Sequence, residues 1–310
     1  MSSLKRVSAA GHFQLEIDGH ASTAYIKSVE GGFAKATPVE EPIGPDNQRI
    51  KHSNVVDVDP FSIECGFAGS AGVLRWIQAS WQRKYNRRNG QISHAGFDLK
   101  KTYEHEFYDA LITEASFPAL ETTGKDPAFL KLKIQPETVR HKAGTGSVMS
   151  STTTTKQKLW TPNAFRFTID QFSNQDDLKT VSKIESFTIK QGIKKFYTGK
   201  ERFPQIEPTK IEFPHLVCTI PFVHATEVLK YHEKYVMTGQ DDRKAQVSGS
   251  IEFLTPDRTK TLFAINFFEA GLFSASMVPA PANADQIKRV KFELYVGRMD
   301  IDGSGDLGLE

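Results

Sequence analysis

The chain has 310 residues, 39% hydrophobic and 25% charged, with a formal net charge of +2. Residues 1–150 hold 18 Lys and Arg against 17 Asp and Glu, and the remainder holds 21 against 20, which excludes a disordered polyampholyte and a basic nucleic-acid domain. The two cysteines form no disulfide framework, MSSLKRVSAAGHF carries no apolar leader, and no run reaches the ~18 apolar residues of a spanning helix, so we expect synthesis in the cytoplasm, reduced thiols and no membrane insertion.

The first element, FQLEIDG at Phe13–Gly19, alternates apolar and polar residues, as a half-buried strand does. A polar stretch rich in Pro, Gly and charge follows at residues 37–54 and predicts a long projecting loop. FSIEC alternates again and ends on Cys65. In AGVLRWIQASWQRKYNRRNG, Val73, Trp76, Ile77, Ser80, Trp81 and Lys84 recur at three-and-four spacing, which predicts a helix with an aromatic face, and Asn89-Gly90 supply the stop. The strand-like EFYDALITEASFPAL and FLKLKI close the first half. The Gly-, Ser- and Thr-rich Ala143–Lys158 has no periodicity and reads as a flexible connection.

The same series then recurs. FRFTIDQ begins at Phe165, 152 positions after Phe13, and Ile184-Glu185 match Val29-Glu30. Cys218 in HLVC falls on Cys65. VLKYHEKYVM repeats the helix, with Val228, Tyr231, His232 and Tyr235 at helical spacing. LFAINFFEAGLFSAS places Phe263 on Phe107 and Phe273 on Phe117, and VKFELYV matches FLKLKI. Features in a conserved order imply a tandem duplication. We therefore expect a mainly β fold of two sandwich- or barrel-like domains, each with one flanking helix. Their bounds would be 1–142 and 161–299, with a linker at 143–160 and an acidic flexible tail at 300–310.

Motifs that would carry chemistry are weak throughout. GFAGSAG before the helix has neither a GK[ST] nor a GxGxxG pattern and reads as a turn. His224, Glu227 and His232 lack the i, i+4 spacing of a zinc helix. His105 lies between Glu104 and Glu106, which point to the opposite face of a strand from it. Asp300, Asp302 and Ser304 begin a calcium-loop pattern, but the chain ends one residue before the position of its bidentate ligand. Arg83, Lys84, Arg87 and Arg88 suit a solvated helix end, an intersubunit ion pair or, less well, nucleic acid. Cys65 and Cys218 have no His or Asn companion and read as core residues.

The order FQLEIDG, polar projecting segment, alternating strand, amphipathic helix, RRNGQI, aromatic strand and closing strand resembles the tail tube proteins of contractile-tailed phages and the inner tube proteins of contractile injection systems. The resemblance spans Phe13–Val139 and Phe165–Arg298. It implies a structural protein with no chemistry of its own and no cofactor or metal. Six such domains close a ring around a pore, so three fused chains would make a pseudo-hexameric ring that stacks into or caps a tube for DNA or effector proteins. Its partners would be further copies of itself and the sheath, baseplate or spike proteins of the particle. A trimeric baseplate hub or tube initiator is the alternative within that class, and a β-sandwich ligand-binding module or enzyme is the alternative outside it. The resemblance also implies inter-ring contacts through the projecting segments. There Glu40, Glu41, Asp46, Arg49 and Lys51 of the first copy would meet Lys194, Lys195, Lys200 and Arg202 of the second.

Overall fold

The computed structural model describes residues 11–44, 48–149, 160–279, 287–303 and 305. Strand takes 54% of the chain and helix 12%, as a chain rich in Phe and β-branched residues favours. The first half contains β1 (His12–Ile17), β2 (His20–Ala21), β3 (Ile26–Glu30), β4 (Ala34–Ile43), β5 (Gln48–Val58), β6 (Phe61–Cys65), helix α1 (Ala71–Trp81), β7 (Arg88–Ala95), β8 (Lys101–Phe117), β9 (Leu120–Glu121), β10 (Leu130–Gln135) and β11 (Thr138–Ala143). The second half contains β12 (Phe165–Ile169), α2 (Gln175–Leu178), β13 (Lys183–Ile184), β14 (Phe187–Phe196), β15 (Gln205–Glu212), β16 (Leu216–Pro221) and α3 (Thr226–His232), which runs into a π-type turn at Glu233–Met237. β17 (Val247–Leu254), β18 (Thr261–Met277), β19 (Arg289–Tyr295) and β20 (Arg298–Asp302) complete it.

The sheets of the two halves include a nearly closed barrel. Hydrogen bonding runs β2-β1-β7-β8-β10-β6-β3 in the first half and β12-β17-β18-β19-β16-β13 in the second, where β9 of the first half adds beyond β13, with Leu120 opposite Ile184. The registers repeat in detail. Ile17 lies opposite Gly90 and Ile169 opposite Gly249. At both glycines the strands close so tightly that a Cβ would come within 2.2 Å of the Glu16 carbonyl oxygen or 2.1 Å of that of Thr168. The same Cβ would run into the Phe107 ring in one half and the Phe267 ring in the other, so no side chain fits at either place. The 17-residue strands β8 and β18 each bend at an L-residue with positive φ, Asp109 at 50° and Glu269 at 54°. Up to the bend β8 lies between β7 and β11, and past it β8 pairs β10. β18 does the same with β17, β20 and β19.

These registers correct the sequence alignment in its later parts. Phe107 matches Phe267, not Phe263, because each faces the close-approach glycine of its own half. Phe273 sits at the bulge that Thr113 occupies, four positions from Phe117. The cysteines do not coincide either: Cys218 pairs Ile184, and Ile63 pairs its counterpart Val29. Both thiols are fully buried, and burial pushes the Cys65 pKa up to about 12.

The two projecting segments are hairpins rather than loops. β4 pairs β5 as a separate two-stranded ribbon and β14 pairs β15. Lys35 faces Asp57 in one and Lys190 faces Glu212 in the other, with the same bulge two residues on. The connecting segment is less free than its composition predicts. Lys101 N donates to Ser147 O, Met149 N donates to Leu99 O, and Met149 is buried; residues 150–159 lie outside the described residues. The acidic tail also starts later than expected, since Asp300–Asp302 belong to β20 and Ile301 is in the core.

Candidate assembly interface

The apolar core is continuous across the two halves, and the joint between them has three layers. In the first, β14 of the second half adds to the open edge of β8 beyond its bend. Phe187 lies opposite Phe117, Thr188 opposite Ser116, Ile189 opposite Ala115 and Lys190 opposite Glu114. Thr188 Oγ1 lies 2.8 Å from Ser116 Oγ, and the Phe117 and Phe187 rings stack with centroids 5.2 Å apart. This is strand addition, in which one unit completes the sheet of another through main-chain bonds.

The second layer is aromatic. Phe67, just before α1, inserts among Trp160, Phe253 and Phe263 of the second half at centroid distances of 5.0, 5.5 and 5.7 Å. It is 1% exposed. The third layer is polar. Gln78 of α1 donates to Ile301 O at 2.6 Å, and Arg87 donates to Ile206 O at 2.6 Å and reaches Glu207 at 3.0 Å. Lys195 pairs with Asp57 at 2.6 Å, and Glu137 accepts from Ile206 N at 2.7 Å. Burial raises the Glu137 pKa ahead of the lowering from that amide and Arg87.

The matching registers of the two halves give a counterpart, on the outer ends of the chain, for the strand edge, for the hairpin that adds to it and for the aromatic anchor. The edge of β18 past its bend, Ser274–Met277, corresponds to the β8 edge, and no strand pairs it on that side among the described residues. The ribbon β4–β5 corresponds to β14–β15 and, among the described residues, joins no other sheet. Phe222 corresponds to Phe67. Ser70 N donates to Phe67 O and Leu74 N to Ser70 O, and Ala225 N donates to Phe222 O and Leu229 N to Ala225 O. Phe67 is buried, whereas Phe222 is 45% and Val223 80% exposed.

Val236, Met237, Phe273, Met277 and Val278 are exposed on the same half. On the first half the positions of Phe253, Phe263, Ile265 and Ile301 are taken by His94, Tyr103, His105 and His141. Phe33, 53% exposed, lies over this group with ring centroids 4.9 Å from both His105 and His141. His105 is buried, neither of its ring nitrogens finds a hydrogen bond, and burial followed by the neighbouring histidines brings its pKa down to about 4. Burial lowers that of His94 too.

The residues expected to touch another ring lie on the two ribbons, where charge is largely balanced locally. Glu40 accepts from Arg49 at 3.1 Å and Lys51 at 2.6 Å, and these cations hold its carboxyl below the usual range. Glu41 lies 3.9 Å from His52. Asp46 falls outside the described residues. Lys194 lies over the Phe196 ring, Lys195 is spent on Asp57, and Lys200 and Arg202 sit in the turn that joins β14 to β15. Sequence reasoning named these charges and missed Phe67, Phe222 and the β18 edge.

The side chains of the other motifs find ordinary partners. His224 pairs with Asp177 at 2.6 Å, Glu227 accepts from the backbone of Ser173 and Asn174, and Asp300 accepts from Gln82. Among the described residues no cluster could hold a metal ion, and no helix is long and apolar enough to cross a membrane.

Searched by sequence, the chain matches no protein family and no curated protein. Solved structures do match. Two of the proteins it is similar to come from an extracellular contractile injection system. One is the sheath/tube terminator of an extracellular contractile injection system (PVC) in its extended state, 15% identical, with a TM-score of 0.40 over 46% of this chain and 100% of that one. Another comes from the sheath–tube complex of the same system, 13% identical, with a TM-score of 0.38 over 51% of this chain and 99% of that one. A third is Hcp1 from Flavobacterium johnsoniae, 14% identical, with a TM-score of 0.27 over 46% of this chain and 97% of that one. Each match therefore covers about half of this chain.

Proposed function

We propose that the chain is a structural ring subunit of a phage-tail-like tube, built as a tandem duplication and acting through self-assembly around a pore. The observation that carries this reading is the joint inside the chain, with its two complementary surfaces repeated and left uncovered at the outer ends. A surface that fits a different surface on an identical molecule makes a head-to-tail contact, and such contacts close into rings when the rotation allows. The bend shared by β8 and β18 gives successive domains the same relation to one another. Three chains supply the six domains that the sequence resemblance implies, and the pore carries DNA or effector protein. The partners are copies of the chain and the sheath, baseplate or spike proteins of the particle.

The test is light scattering and electron microscopy of the purified 34.7 kDa chain. Rings of three chains, alone or stacked, are expected. A chain that stays monomeric at high concentration, and also in the presence of its particle partners, overturns the reading.

A further inference from the structure

We propose that the contact between chains is a strand addition of fixed register, in which residues 32–35 of one copy pair antiparallel with Ser274–Met277 of the next while Phe222 of that next copy inserts against His94 and Tyr103. This rests on the head-to-tail reading above and goes beyond it by naming the register and the anchor. The donor and acceptor follow from the joint already made. Lys190 opposite Glu212 and Lys35 opposite Asp57 align β14 with β4, so Thr188 maps to Phe33 and Ile189 to Ala34. The common bulge aligns β8 with β18, so Ser116 maps to Ser276 and Ala115 to Ala275. The intramolecular register of Thr188 with Ser116 therefore becomes Phe33 with Ser276 between copies, Ala34 with Ala275 and Lys35 with Ser274.

A two-residue slip on an edge keeps every side chain on its face, so alternation does not exclude it; the bulges and the Phe222 anchor do. The aromatic layer follows in the same way. Phe67 is held by Phe253 and Phe263, and Phe222 would meet the residues at those positions, His94 and Tyr103. The polar layer is not repeated. The counterparts of Lys195 and Asp57 are the acids Glu40 and Glu212, and each is already paired within its own hairpin, Glu40 with Arg49 and Lys51 and Glu212 with Lys210. Strand edge and Phe222 thus carry the contact, and a second copy is the occupant both surfaces fit.

Cysteine pairs test the register. Residues opposed across antiparallel strands lie within disulfide range. Phe33→Cys with Ser276→Cys is expected to cross-link chain to chain on mild oxidation, whereas Phe33→Cys with Ser274→Cys, displaced by two residues on the same face, is not. Thr188→Cys with Ser116→Cys, where the native side chains already touch, is the positive control within one chain. The native thiols are buried and do not compete. Phe222→Ser, an exposed change that leaves the fold intact, is expected to weaken association by about 10- to 100-fold.

Rings that assemble without the Phe33–Ser276 cross-link, or with the displaced one instead, overturn this inference and leave the ring reading standing. Open filaments carrying the expected cross-link uphold it and overturn the ring. Rings unaffected by Phe222→Ser overturn the anchor. A chain that neither associates nor cross-links overturns both.

Discussion

The two halves use the same backbone positions to build two different faces. In the second half Phe253, Phe263, Ile265 and Ile301 are all buried, under Phe67 and α1 of the same chain. In the first half His94, Tyr103, His105 and His141 occupy those places, and only His105 is fully buried. A face that is covered once, as the chain folds, is completed with rings and branched aliphatics. The face that a second molecule would cover in the proposed ring keeps groups that tolerate water, since a large bare apolar patch would invite indiscriminate association. Under the proposed assembly, the difference between the halves follows what covers each face, not the fold beneath.

Exchanging the two phenylalanines is the sharpest way to break this comparison. Phe67→Ala removes a ring wedged among three others and is expected to cost about 3–5 kcal/mol of folding stability. Phe222→Ala, at the matching but exposed place, should stay within about 0.5 kcal/mol. Urea unfolding of both variants measures this, and equal losses would mean that Phe222 is already packed in the free chain.

Acid should separate the faces next. His105 is neutral when folded, with a pKa near 4 against an ordinary 6.5. The unfolded chain therefore takes up a proton first as the pH falls, and the stability tied to neutral His105, full above about 6.5, is lost progressively toward pH 4. At 1.36 kcal/mol per pKa unit this reaches about 3 kcal/mol at most. His105→Ile, which installs the residue of the other half, should flatten the curve. The difference between the two proteins from pH 7 to 4 is the readout, and carboxylates common to both cancel.

Gly90→Ala and Gly249→Ala sharpen the likeness instead. The added methyl meets a carbonyl oxygen and an aromatic ring in either half, so each should cost about 1–3 kcal/mol. Markedly unequal losses would show that the two barrels are not strained alike. The smallest effect is expected from reversing Glu40 and Glu41 to Lys. Exposed ion pairs contribute little, and Glu40 is already paired within its ribbon. Tubes should shorten at low salt while the chain stays folded and its rings intact, and unchanged length at low salt removes charge from ring stacking.

Alternation and helical spacing made the elements legible. FQLEID and FRFTID pair with their neighbours in one register, and α1 buries Val73, Trp76, Ile77 and Trp81 as the three-and-four pattern requires. The alignment drifted by two at the cysteines and by four at Phe263, even numbers both, because a strand shifted by an even count presents the same faces. Only the glycine contacts and the bulges break that degeneracy, and they are properties of paired strands. The ribbons read as loops because β4 and β5 bury almost nothing until Val56, so no apolar period marks them. Phe67 and Phe222 look alike in sequence, and their burial differs only because one has a partner within the chain.

The β8–β14 joint also changes the mass action of assembly. A ring of six separate domains must form all its contacts by encounter, and its population rises with the sixth power of concentration. In the ring proposed above, a chain that carries one contact in every two already made would form it from three bodies, with a third-power dependence. Each domain meets its first neighbour at the effective concentration of a tether rather than that of the cell. In the proposed ring the count of domains would be even, and growth would stop or start only at the histidine-lined contact.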